Sequence, residues 1–313
     1  MTRVLVTGAT GFVGQALCQL LVQRDVSLVA TSRSVPPPSF PCQHFLVAPL
    51  DSGANWSVAL KDCDVVVHLA ARAHVMKDSA SNSLAEYRKV NVEGTRHLAL
   101  AAVKSGVKRF IYMSSIKVNG EETTGAPFRF DDIPAPQDPY GVSKLEAEEA
   151  LIEVAQGTGM ELVIIRPPLV YGPGVKGNLA SLSSLVRKGI PLPFGMVNNK
   201  RDLVSVNNLC DLVFVCLSHN KAAGKVFLVS DGMPVSTKQL VKLIALGIGS
   251  RARLWPVPVC LMSSMARLVG KGKLTDRLFG DLQVDIDETR EQLGWQPPYP
   301  VEDEFIRAFR LKS

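Results

Sequence analysis

The chain has 313 residues, 46% of them hydrophobic and 20% charged, with a net charge of +6; this is enough apolar sequence to bury a core, which excludes a largely disordered chain or a small disulfide-stapled one. Six cysteines, at 18, 42, 63, 210, 216 and 260, form no Cys-x-x-Cys pair, which argues against a metal site and a disulfide framework. The basic residues are dispersed instead of lying in a stripe, so the charge fits a small anionic substrate and no nucleic acid is expected.

In chain order, short β-branched runs alternate with helix-length stretches. Strands are predicted over 4–7, 27–31, 44–47, 65–69, 110–113 and 162–165, most of them near-continuous apolar runs of the kind buried parallel strands require. The opening residues enter a strand at once and lack a signal-peptide pattern, so a cytoplasmic location is expected. Pro36-Pro37-Pro38 with Pro41 is predicted as a stiff extended loop. The longest predicted helices are Ser83 to Lys104 and Tyr140 to Gln156. Beyond Tyr171 prolines and glycines multiply and helices predominate, with a late return to the sheet at 226–229. The pattern predicts an α/β chain with a doubly wound parallel sheet and a smaller, mostly helical lobe. The sheet domain is expected over 1–170, rejoined near 201–231, with the lobe interleaved over 171–313. The apolar stretch from Val259 to Val269 is expected as a helix in the core of that lobe. A weaker reading lays it on a membrane surface as a peripheral contact. The run from Leu254 to Gly270 is broken by two prolines and Arg267, and falls short of a transmembrane span.

The first strand runs into Thr7-Gly8-Ala9-Thr10-Gly11-Phe12-Val13-Gly14, followed by apolar residues at helical spacing. A strand, glycine turn and helix in that order lets the backbone approach a pyrophosphate, whose charge the helix N-terminus favours. The second strand ends in Ala30-Thr31-Ser32-Arg33-Ser34, without the carboxylate that would grip the ribose 2′-hydroxyl of NAD. Arg33 with the two serines suits a 2′-phosphate instead, which favours NADP(H) and leaves NAD(H) as the alternative. Tyr140-Gly141-Val142-Ser143-Lys144 opens a helix behind Asp138-Pro139, placing phenol and ammonium on one face. The Lys144 charge is expected to lower the Tyr140 pKa and make it an acid–base group. Ser114-Ser115 ends an apolar strand, where a hydroxyl can steady a carbonyl oxygen. His68 and His74 lack ligand partners at metal spacing, so packing or surface roles are expected and no metal.

With these motifs in this order, the chain resembles the extended short-chain dehydrogenases/reductases that modify nucleotide sugars. The supporting stretches are Thr7-Gly8-x-x-Gly11-x-x-Gly14, His68-Leu69-Ala70-Ala71, Asn91-Val92-Glu93-Gly94-Thr95, Ser114-Ser115, Tyr140-x-x-x-Lys144, Arg166-Pro167-Pro168-Leu169-Val170-Tyr171-Gly172-Pro173 and Arg201-Asp202-Leu203-Val204-Ser205-Val206. The resemblance implies a Rossmann sheet with Tyr140 as acid–base residue, Lys144 tuning it and holding the nicotinamide ribose, and Ser115 bonding the reacting oxygen. It places Gly8, Gly11, Phe12, Val13, Gly14, Arg33, Leu50, Leu69, Ala70, Ala71, Asn91, Tyr140, Lys144 and Pro167 at the cofactor. It sets Arg201 at the substrate diphosphate and Asn178 at the nucleotide. It also implies a homodimer paired through the helices at 83–104 and 140–156.

Sugar 4,6-dehydratases of this family follow the strand-end hydroxyl with Asp-Glu, whereas Ser115 precedes Ile116-Lys117, which speaks against dehydration. Asn119 and Pro49 also depart from the family's usual tyrosine and aspartate. The segment 68–76, Pro256-Val257-Pro258 and Asp276-Arg277-Leu278 resemble bacterial surface-polysaccharide enzymes acting on UDP-sugars. Because a reductase consumes hydride that cells supply as NADPH, the Arg33 argument favours reduction of a UDP-4-keto-6-deoxy-N-acetylhexosamine at C4. A UDP-sugar 4-epimerase with retained NAD is the alternative, and a non-catalytic dinucleotide sensor a further one.

Overall fold

The computed structural model describes residues 2–310 apart from 34, 37–39, 41, 48–49, 51–52, 74–82 and 269–277. Ser34, Pro37, Pro38, Pro41, Pro49, His74 and the Asp276-Arg277 pair lie outside the described residues.

Among the described residues, seven strands form one parallel sheet: β1 (Arg3–Thr7), β2 (Ser27–Ser32), β3 (Gln43–Leu46), β4 (Val65–His68), β5 (Arg109–Met113), β6 (Glu161–Arg166) and β9 (Lys225–Leu228). Their spatial order is β3-β2-β1-β4-β5-β6-β9. The period-2 alternation of side chains explains why the strands read as continuous apolar runs. On β5, Ile111 and Met113 enter one core while Phe110 and Tyr112 enter the other; Val163 and Ile165 of β6 oppose Leu162 and Ile164 in the same way. The first core is closed by α1 (Phe12–Gln23) and α6 (Val206–Cys216). The second is closed by α3 (Gly94–Lys104) and α4 (Pro139–Ala155). This is the doubly wound arrangement expected from the alternating pattern.

Two short strands, β7 (Leu169–Tyr171) and β8 (Leu203–Ser205), pair parallel outside the main sheet. Next to them, α5 (Asn178–Arg187), α7 (Thr237–Ile248) and α10 (Val301–Phe309) enclose a third apolar cluster containing Tyr171, Leu179, Ile244 and Phe305. Two further helices are α8 (Val259–Leu268) and α9 (Asp287–Leu293).

Two predicted elements differ from the structure. The helix read over 83–104 is divided into α2 (Ser83–Arg88), a π-helical turn (Lys89–Glu93) and α3. One apolar periodicity runs through all three, and a π-turn adds a residue without breaking the helical path. The helix at 259–268 is present but does not lie in a core: Leu261, Met265 and Leu268 are 52%, 61% and 86% exposed. Composition marks a stretch as apolar without saying whether anything packs on it.

Candidate active site

Strand order reverses between β1 and β4, since the chain leaves β1 toward β2 and β3 and returns on its other side. Such a reversal opens a crevice at the C-terminal ends of the strands, the usual ligand position in an open parallel sheet. Thr7, His68 and Tyr112 stand side by side there through the β1–β4 and β4–β5 registers.

The glycine turn is built for close approach. Gly8 has φ +68°, and a Cβ there would lie 2.8 Å from the Ala70 nitrogen, so β1 and the segment after β4 touch only because the residue is glycine. A Cβ on Gly14 would meet the Gly8 carbonyl at 2.2 Å, so this glycine packs α1 onto the turn. Gly11 is exposed and begins α1 with no side-chain cap. The first N–H groups of the helix therefore face the crevice mouth without a side chain to satisfy them. Phe12 and Val13 are half-buried beside them, and Leu69, Ala70 and Ala71 are half-exposed across the gap. The donor set and the bare backbone fit the pyrophosphate of a dinucleotide.

His68 is buried between two hydroxyls, with Nδ1 2.6 Å from Thr7 Oγ1 and Nε2 2.9 Å from Thr95 Oγ1. The Ala70 N–H also reaches Thr7 Oγ1, at 3.3 Å. Burial, helped by the Lys144 charge, pushes the imidazole down to about 3, so it packs as a neutral ring that aligns the end of β4. Among the described residues no cluster of metal-ligating side chains occurs.

The catalytic candidates gather at the ends of β5 and α4. Asp138 caps α4 by accepting from the Gly141 N–H at 2.7 Å, with Pro139 in the first turn. A Cβ on Gly141 would stand 2.9 Å from the Lys117 carbonyl. Glycine at that position thus lets the start of α4, with Tyr140, lie directly on the 3₁₀ turn (Ile116–Val118) that follows Ser115. Ser115 and Tyr140 are both half-buried, and Ser115 caps the 3₁₀ turn. Lys144, one helical turn on, is buried, and its Nζ donates to the Met113 carbonyl at 2.7 Å and to the Tyr112 hydroxyl at 3.2 Å. Nζ stands 6.0 Å from the Tyr140 ring centre.

The electrostatics correct one expectation. Burial, with Asp138 and Tyr87 nearby, holds the Tyr140 phenol above its ordinary value instead of below it. The same burial pushes Lys144 down to about 7, opposed by the Glu148 charge. Desolvation disfavours both charged forms and outweighs their mutual attraction at this separation.

Other expected site residues are placed as follows. Asn91 is buried in the π-turn; its Oδ1 accepts from the Arg72 N–H at 2.8 Å, and its Nδ2 donates to the Arg72 carbonyl and Ser143 Oγ. It braces the segment after β4 against α4. Leu50 and Pro167 are buried, the Pro167 carbonyl accepting from the Ile116 N–H at 2.9 Å. Arg33 is exposed at the end of β2, where Ser32 Oγ lies 2.9 Å from His44 Nε2. Arg201 is half-buried with Nη1 on the Gly280 carbonyl, and Asn178 is exposed at the start of α5.

Two partners of the candidate catalytic residues escaped the sequence reading. Tyr112 receives the Lys144 hydrogen bond, and Glu148, one turn beyond Lys144, is buried against Arg166. Glu148 accepts from Arg166 Nε and Nη2 at 3.0 and 2.6 Å and from Ser114 Oγ, while Arg166 Nη1 reaches Asn119 Oδ1 at 3.1 Å. The signal was an acid on the same helical stripe as Ala147 and Leu151, since a buried carboxylate requires a partner.

Comparison with known proteins agrees with this geometry. The signature of the NAD dependent epimerase/dehydratase family matches residues 4–230. The chain belongs to that family. It is 49% identical to a UDP-glucose 4-epimerase of Vibrio cholerae, across 96% of this chain and 93% of that protein. It is 30% identical to a GDP-6-deoxy-D-mannose reductase of Pseudomonas aeruginosa, across 78% and 79%. Among solved structures, MoeE5 in complex with UDP-glucose and NAD superposes with a TM-score of 0.79 at 26% identity, covering 98% of this chain and 97% of that one. The chain is thus an enzyme of the extended short-chain dehydrogenase type, acting on nucleotide sugars as epimerase or oxidoreductase.

Proposed function

We propose that this enzyme is a UDP-hexose 4-epimerase working with a retained NAD. The observation that carries the reading is the 49% identity to the Vibrio cholerae UDP-glucose 4-epimerase over nearly the whole of both chains. It favours the epimerase over the NADPH-dependent 4-keto reductase expected from Arg33. That expectation leaned on the hydroxyls at the end of β2, and the Ser32 hydroxyl is engaged by His44.

When bound, NAD supplies reversible hydride acceptance, which a 4-epimerase needs without net consumption. Tyr140 takes the proton of the C4 hydroxyl as hydride leaves and returns it after the keto sugar has presented its other face. Ser115 donates to the same oxygen and holds it in register with the phenol. Lys144, with Nζ 6.0 Å from the Tyr140 ring centre, would hold the cofactor ribose, and its charge would favour the phenolate against the desolvation described above. The start of α1 would hold the cofactor phosphates, and Arg201 and Asn178 would hold the UDP moiety of the substrate. Two copies pair through α2–α3 and α4, whose outer faces expose Leu100 and Ile152.

Purified enzyme is expected to convert UDP-glucose to an equilibrium mixture with UDP-galactose without added nicotinamide, and to release NAD on heat denaturation. Tyr140→Phe is expected to lower kcat by roughly 10²- to 10⁴-fold while still releasing NAD. A strict requirement for added NADPH, consumed once per turnover of a 4-keto sugar, would sink the epimerase reading.

A further inference from the structure

α8 carries a stripe of apolar side chains that no element among the described residues covers. Leu261, Met265 and Leu268 recur at i, i+4 and i+7, the spacing of a single helix face, and all three are more than half exposed. Trp255, just ahead of the helix, is 63% exposed, whereas Trp56 and Trp295 are buried. The Trp255 segment is fixed in place: its N–H donates to the Leu192 carbonyl and its carbonyl accepts from the Gly195 N–H, both at 2.9 Å. The next residue, Met196, is also exposed. Exposed apolar patches of this kind mark docking surfaces.

The sequence that contains this helix is basic, which bears on its occupant. Residues 232–275 hold seven of the chain's 35 lysines and arginines and none of its 29 acidic residues. The remaining 269 residues carry 28 basic and 29 acidic side chains, so the whole positive excess of the chain belongs to this one stretch. Arg251 and Arg253 are exposed immediately before Trp255. A two-fold contact between copies through this face would set like charges against like, which disfavours a second copy. An aromatic anchor, an exposed apolar stripe and the exposed Arg251 and Arg253 match an anionic lipid surface, where each Lys or Arg near the headgroups contributes about 1 kcal/mol.

We propose that α8, with Trp255, is a peripheral anchor that lays the enzyme on an anionic bilayer through its Leu261/Met265/Leu268 stripe. The helix is ten residues long and lies flat in the interface; no helix among the described residues is long and apolar enough to cross a membrane. The proposal does not depend on which sugar reaction the enzyme performs.

The test is co-sedimentation of the whole enzyme with phosphatidylcholine vesicles containing, or lacking, about 30 mol % phosphatidylglycerol, followed in parallel by tryptophan emission. The enzyme is expected to pellet with the anionic vesicles, with a blue shift from Trp255, and to detach at high salt. Leu261→Glu/Met265→Glu is expected to lower the bound fraction by about tenfold with UDP-sugar turnover unchanged. Arg251→Gln/Arg253→Gln leaves the apolar stripe intact and is expected to weaken only the anionic-vesicle binding. Recovery in the supernatant with both vesicle types overturns the proposal, as does equal binding of the wild type and the Leu261→Glu/Met265→Glu variant. Equal binding to both vesicle types overturns it as well.

Discussion

At the scale of single residues, burial decides the chemistry more than sequence neighbours do. His68 shows this most directly, because both ring nitrogens are engaged by threonine hydroxyls and its folded pKa falls to about 3. The unfolded chain binds this proton below about pH 6.5 while the folded one does not until near pH 3, so His68 makes stability fall with pH across that window. Its contribution is fully present above pH 6.5. Urea unfolding is expected to lose about 2 kcal/mol from this group between pH 6.5 and 5, and the loss should be absent in His68→Gln. An unchanged slope in the variant would show that other groups set the acid sensitivity. Tyr140 follows the same rule with opposite consequence. Its spacing to Lys144 was legible in the sequence, but the direction of its shift was not, because desolvation by the packed site exceeds the lysine's influence.

At the scale of elements, α4 presents Tyr140 and Lys144 and is held by a buried polar network. Glu148 ties α4 to β6 through Arg166 and to the end of β5 through Ser114, beside Ser115. Removing one charge of a buried pair leaves the other uncompensated. Glu148→Gln is therefore expected to cost about 3–5 kcal/mol, read as a lowered urea midpoint. A variant as stable as the wild type would show that Arg166 finds another partner. The π-turn before α3 is a second device of this scale, since it contains Asn91 and that side chain grips the backbone of Arg72 after β4. Helical periodicity foretold a helix through this stretch. It could not foretell the extra residue, because the same apolar spacing is compatible with an uninterrupted helix.

At the scale of the whole molecule, the crevice between β1 and β4 exists only because strand order reverses there. A dinucleotide bound across it would join both halves of the sheet and bind only the folded state. Stripped enzyme is expected to gain about 2.7 kcal/mol at NAD one hundredfold above Kd, seen as a rise in Tm. The same concentration of NADP is expected to give a smaller rise; an equal or larger one would return weight to Arg33 as a 2′-phosphate ligand.

The amino-acid sequence by itself determined the strands of the main sheet, the glycine turn at Gly8, Gly11 and Gly14, and the placing of Tyr140 and Lys144 one turn apart at the start of a helix. Each is a local pattern: two-residue alternation for a strand, 3.6-residue recurrence for a helix, and freedom of φ at a glycine. Only the tertiary structure decided that Tyr140 is pushed upward, that Lys144 meets Tyr112, that Glu148 pairs with Arg166, and that Leu261, Met265 and Leu268 of α8 are exposed. Those outcomes depend on what distant segments bring to a side chain. A carboxylate is stabilised by an arginine 18 residues away, and an apolar helix is a core element or a surface anchor according to whether another element packs over it.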